Sequence, residues 1–162
     1  MINIKIICVG KVKEKSLKEL IDEYKKRLSK YCKLEIIELA DEKIPQTCSI
    51  TDENKIKEKE CEKIKEKIQK IGKSTIIFLD LHGKQYSSEE FSEKLDNIAT
   101  YHNSTITFVI GGSLGLTNEL LSLSSEKISF SKMTFPHQLF RVFLLEQIFR
   151  AFKIQNNETY HH

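Results

Sequence analysis

His137 and Arg141 are the residues of this 162-residue chain whose placement most invites a chemical reading. His137 follows Pro136 at the start of a helical stretch, beyond a strand end, and Arg141 lies one turn later on the same face. A pair of cations there has little structural motive. It suits an anion, or a base that takes up a proton near neutral pH. Arg150, nine residues after Arg141, points about 180° away around the helix, so the two arginines cannot serve one surface. Arg150 has Glu146 as an i, i+4 partner in the favourable order. His82 and His102 read as solvated loop histidines.

A second candidate is the run Gly111-Gly112-Ser113-Leu114-Gly115, where glycines that follow a strand let a backbone approach a ligand closely. It is not a P-loop, because no Lys follows Gly115, and not a dinucleotide fingerprint, because position 113 is Ser. By itself it fits a plain strand-to-helix turn equally well. The four cysteines, Cys8, Cys32, Cys48 and Cys61, lie 24, 16 and 13 residues apart, which argues against a zinc site or a disulfide framework. They read as reduced thiols, and neither a metal cluster nor a persuasive nucleophile emerges.

The elements that must position these residues alternate. Ile2 to Val9 is β-branched and ends at Gly10, which is a strand signal. Leu17, Leu20, Ile21, Tyr24 and Leu28 then form one helical stripe, and Leu34 to Leu39 reads as a second strand. From Asp52 to Lys73 the chain is dense in Lys and Glu, yet Cys61, Ile64, Ile68 and Ile71 keep a helical stripe, so the charges form a solvated face. Thr51 with Asn54 is a partial capping signal for that helix. Ser74 to Leu81 and Thr105 to Ile110 are apolar enough to be strands covered on both faces. Between them Ser87 or Ser88 caps a helix carrying Phe91, Leu95 and Ile98.

This alternation predicts an α/β fold with a mostly parallel sheet and helices on both faces, whose ligand site lies beyond the carboxyl ends of the strands. Three such ends carry unusual residues: 80–84, 111–115 and 131–137. The length predicts a single domain over 1–162. With 26 basic against 23 acidic residues, the net charge of +3 makes any RNA-binding surface a local matter. No apolar run is long enough to span a membrane and the opening lacks a signal-peptide pattern, so the expected location is cytoplasmic. In the last helix, Leu139 to Ile154, 11 of 16 residues are apolar and surround the axis. Such a helix is buried on more than one side, centrally or against another subunit, and a homodimer is the expectation.

The three strand-end segments, taken in order with the Tyr160-His161 tail, closely resemble the ribosomal RNA large subunit methyltransferase H family of the SPOUT superfamily. The resemblance runs over essentially the whole chain: CVGK at 8–11, LDLHGK at 79–84, FVIGG at 108–112 and FSKMTFPHQLFRVFLLEQIFRAFKI at 130–154. It implies a C-terminal part threaded as a trefoil knot, a homodimer, and S-adenosylmethionine as cofactor. The methyl group would pass to N3 of a pseudouridine in 23S rRNA, and the small size of the chain points to the assembled ribosome as target.

Carried over by position, the cofactor contacts fall on Leu79, Gly111, Phe130, Ser131, Lys132, Met133, Thr134 and Phe135. His137, Arg141, Tyr160 and His161 are the catalytic candidates, with no metal. Leu79, Met133 and Phe135 would enclose the adenine while backbone groups read its edge. The sequence departs from some members at Ser113-Leu114 and at His162, where others end in Arg or Lys. A SPOUT enzyme acting on tRNA would be expected to carry an added RNA-binding module, and a noncatalytic ribosome-associated factor would not bind the cofactor.

Overall fold

The computed structural model describes residues 1–161, so the departure at His162 lies outside the described residues. Five strands, β1 (Ile2–Val9), β2 (Cys32–Leu39), β3 (Thr75–Gln85), β4 (Thr105–Ile110) and β5 (Lys127–Ser129), form one sheet in the order β2-β1-β4-β3-β5. All the pairings are parallel, as the expected crossovers demand. The helices are α1 (Lys15–Leu28), α2 (Ile50–Ile71), α3 (Ser88–Tyr101), α4 (Asn118–Leu121) and α5 (His137–Gln155).

The side-chain period of a strand divides the core between the two faces. Ile4, Ile6 and Cys8 of β1 pack with α1, α3 and α5, whereas Ile7 and Val9 pack with α2 and α4. The charged helix α2 buries Cys61, Ile64 and Ile68 as its stripe predicts. It begins two residues earlier than expected because Ser49, not Thr51, accepts the Asp52 N–H. Ser87 forms a full capping box with Glu90 at the start of α3.

β3 also departs from expectation. It continues to Gln85 instead of stopping at Leu81, with its register against β5 shifting between Leu79 and Lys84, so residues 80–83 bulge out of the ladder. A side chain at Gly83 would meet the Ile128 backbone N at 2.7 Å, which is why the bulge closes on glycine.

α5 resolves the question raised by its all-round apolarity largely within its own chain. It lies against α1 and α3, and its Val142, Leu144, Leu145, Ile148, Phe149, Ala151 and Phe152 are buried. The remaining apolar side chains of this helix are half-buried, and none of them is fully exposed.

Candidate active site

The sheet order decides how the unusual loops meet. β5 is the edge strand beside β3, yet α5 begins over the end of β1, so residues 130–136 must cross the carboxyl ends of β3 and β4. That is about 14 Å of sheet, within the reach of seven extended residues. The crossing brings the loops after β3, β4 and β5 around one cavity of about 500 Å³. This volume suits a cofactor of nucleoside size.

Of the residues matched to cofactor contacts, Leu79, Gly111, Phe130, Ser131, Thr134 and Phe135 line the cavity. Lys132 and Met133 do not, and Met133 is 72% exposed, so the Met133 side chain does not wall the cavity in this state. Its backbone is nevertheless held, because the Met133 N–H donates to Ser131 Oγ at 3.0 Å. A Cβ at Gly111 would stand 2.9 Å from Leu116 Cδ2 and 3.2 Å from the Gly115 carbonyl carbon. The backbone there can approach a ligand only because the residue is glycine. Phe130, Phe135, Phe140 and Phe143 pack mostly edge to face, with centroids 5.4 to 6.3 Å apart, and form the apolar wall. The wall continues into a second groove of about 310 Å³ between α3 and α5 that also contains Glu146.

Arg141 overturns the expectation that a cation there lacks a structural motive. It is only 1% exposed, and its guanidinium donates to Glu38 Oε2 at 2.6 Å and to the carbonyls of Val9 and Gly10 at 3.0 and 2.7 Å. Glu38 accepts the Val12 N–H as well, so the network ties the ends of β1 and β2 to α5. Gly10 makes this possible by leaving the strand at φ +85°. Arg141 thus anchors the first turn of α5, which begins at His137, to the ends of β1 and β2. Replacing Arg141 with Leu strands two carbonyls and a carboxylate and is expected to remove about 3 kcal/mol of stability. A urea midpoint equal to the wild type's would contradict that role.

His137 lines the cavity and is half-buried, with its Nδ1 buried and unpartnered. Burial and, after it, the Arg141 charge hold its pKa below the usual value, so the ring is neutral at pH 7 and able to accept a proton. Burial pushes Cys8 up to about 11 and Cys32 to about 12, so neither is a rival nucleophile.

The tail is folded onto its own helix. The Tyr160 hydroxyl donates to Glu146 Oε2 at 2.9 Å, and its ring stands edge-on to Phe149 at 5.0 Å and under the Arg150 guanidinium. Burial and the Glu146 carboxylate push the Tyr160 pKa up to about 12. His161 sits between Arg150, at 3.0 Å, and Glu89, at 2.5 Å. The Glu146–Arg150 pair expected from spacing forms at 2.7 Å. Since Glu146 borders the groove that continues the aromatic wall, the tail stands at its rim, while His137 stands over β1.

Glu60 escaped the sequence reading. It is 5% exposed, although it lies in the Lys/Glu-rich stretch. Its spacing held the signal, since Glu60, Ile64, Ile68 and Ile71 fall at i, i+4, i+8 and i+11 on the apolar stripe. No group of side chains able to hold a metal ion occurs among the described residues.

A parallel sheet with a cofactor-sized cavity made by crossing loops at its carboxyl end defines an α/β enzyme with a small-molecule cofactor. A family described as "Predicted SPOUT methyltransferase" matches residues 2–161, and the chain belongs to it. The fold of that family includes the C-terminal knot, an exception to the rule that chains avoid knots. The chain is 61% identical over 159 residues, 98% of this chain and 99% of the relative, to the ribosomal RNA large subunit methyltransferase H of Clostridium botulinum (strain Hall). It is 57% identical over the same shares to that of Clostridium acetobutylicum. A probable methylase family protein from Haemophilus influenzae Rd KW20 shares the fold at TM-score 0.55 and 16% identity, over 99% of this chain and 70% of that one.

Proposed function

We propose that this chain transfers a methyl group from S-adenosylmethionine to N3 of a pseudouridine in 23S rRNA, acting on the assembled ribosome in the cytoplasm as a homodimer of single-domain subunits. The observation that carries the reading is the cavity made by the loops after β3, β4 and β5, in a chain 61% identical to a relative named ribosomal RNA large subunit methyltransferase H. The groups around it suit the cofactor: apolar Leu79 and Phe135 for the adenine face, and unshielded backbone at Gly111 and along 130–135 for its edge.

When bound, S-adenosylmethionine supplies a methyl group on a positively charged sulfur, which needs no metal. The chain's own work is to place the imide nitrogen in line with that methyl and to take its proton. Methyl transfer from the bound cofactor to N3 would release the N3 proton, which a histidine of this chain would take up. His137 is the candidate acceptor beside the cofactor cavity, and His161, whose ring nitrogens meet Arg150 and Glu89, is the alternative candidate at the groove. Tyr160, held protonated by Glu146, is suited to stacking on an unpaired base, not to accepting the proton.

Incubation with methyl-labelled S-adenosylmethionine and, separately, ribosomes, free large subunits and naked rRNA lacking the modification tests the reading. Label at N3 of a pseudouridine in ribosomes supports it, and absence of transfer to all three rejects it. The dimer has its own test. Phe143→Glu puts a charge among Phe135 and Phe140 on the half-buried wall and should give monomers or aggregates without activity. A stable wild-type monomer in sedimentation at micromolar concentration would remove the dimer from the proposal.

A further inference from the structure

Beside the cofactor cavity lies a second cleft of about 310 Å³ above the ends of β1 and β2. The two share Gly112, Ser113 and His137, so a group held in the cleft lies next to whatever the cavity holds. Three carboxylates and an imidazole line it together with Lys43 and Ser113. Glu60 comes from α2, with Oε2 taken by the Glu42 N–H at 3.0 Å, while Oε1 borders the cleft with no hydrogen-bond partner. His137 presents a neutral ring with an unpartnered Nδ1, and Asp41 stands at the rim. Burial on the apolar stripe of α2 raises the Glu60 pKa, and a donor on its free oxygen would offset that cost. Gly112 keeps the approach open, for a Cβ there would stand 3.0 Å from Glu60 Oε1.

We infer that this cleft receives the target base and that Glu60 is the residue that selects pseudouridine over uridine, by accepting its N1–H. The inference rests on the function proposed above. The two bases present the same N3 flanked by two carbonyls when their glycosidic bonds are superposed. They differ on the adjacent ring edge, where pseudouridine carries N1–H and uridine carries C5–H. The Glu60 oxygen that faces the cleft accepts a hydrogen bond from the first and meets no donor in the second. Since the cleft adjoins the cofactor cavity through Gly112 and His137, a ring with its N1 edge on Glu60 keeps N3 next to both the methyl donor and the proton acceptor.

The test compares methyl transfer to ribosomes carrying pseudouridine or uridine at the target position. Wild type is expected to prefer pseudouridine by at least about tenfold, and Glu60→Ala to narrow that preference toward unity. Glu60→Gln serves where the alanine variant fails to fold. Its carbonyl keeps the Glu42 N–H and its amide then points a donor at the base N–H, so the preference is lost again. Retained S-adenosylmethionine affinity by calorimetry marks each variant as folded. A merely structural Glu60 would slow both substrates in parallel and keep their ratio, which overturns the inference. Equal wild-type rates on the two ribosomes overturn it as well, whereas a wild type that methylates neither ribosome refutes the underlying function instead.

Discussion

Gly111→Val is expected to lower the affinity for S-adenosylmethionine by roughly 100-fold or more, close to 2.7 kcal/mol. The Cβ alone would lie 2.9 Å from Leu116 Cδ2 and 3.1 Å from its Cγ, before the two valine methyl groups are placed. Leu116 is buried on the α2 side of the sheet, so it yields only by repacking Leu120 and Cys61. The Gly112–Gly115 turn, closed by its own backbone hydrogen bond at 3.0 Å, cannot retreat without opening. The branched side chain is therefore driven into the cavity, where the backbone has to meet the ligand. Gly111→Ala should produce a smaller loss, because one methyl group is absorbed by a shift of the Leu116 side chain. Calorimetric titration of both variants decides the matter, with thermal unfolding as the check on folding. Wild-type affinity in a folded Gly111→Val protein would take this loop out of the cofactor site.

The fold was legible wherever burial follows a period. β1 and β4 fall at their expected boundaries, and the α2 stripe at Cys61, Ile64 and Ile68 is buried despite the surrounding charge. The short pieces α4 and β5 carry too few residues for a period to register. The cavity lining was legible where backbone has to be bare, as at Gly111, and where a histidine follows a strand end, as at His137. What stayed hidden depends on contacts between residues distant in sequence. Arg141 meets Glu38, 103 residues away, and nothing local reveals that a helix cation is anchored on the end of a strand. Glu60 reads as one more solvated glutamate until its place on the apolar stripe is noticed, and only the sheet order puts it beside Gly112. The docking of the tail was not legible because its partners, Phe149, Arg150 and Glu89, belong to two different helices.

Removing residues 160–162 is expected to reduce methyl transfer by at least roughly 100-fold, the scale on which loss of a general base or of its positioning is felt. Cofactor affinity should hardly change, because neither Tyr160 nor His161 borders the cavity that holds Gly111. The tail is not energetically idle, however. Tyr160 covers Phe149 and donates to Glu146, so the truncated protein should also unfold at a temperature a few degrees lower, as a loss of about 1 kcal/mol implies. Stability and catalysis can be separated by point variants. Tyr160→Phe keeps the ring on Phe149 and removes only the hydroxyl, which holds the tail to Glu146. His161→Ala removes the imidazole between Arg150 and Glu89. If the tail works by delivering His161 to the base, His161→Ala reproduces the catalytic loss of the truncation at wild-type affinity for the cofactor, and His137→Ala loses less. If His137 is the proton acceptor, the order reverses, because its neutral ring already stands where the cofactor cavity and the Glu60 cleft meet. A truncated enzyme that methylates ribosomes at the full rate would reduce the tail to packing on α5 and leave His137 as the acceptor.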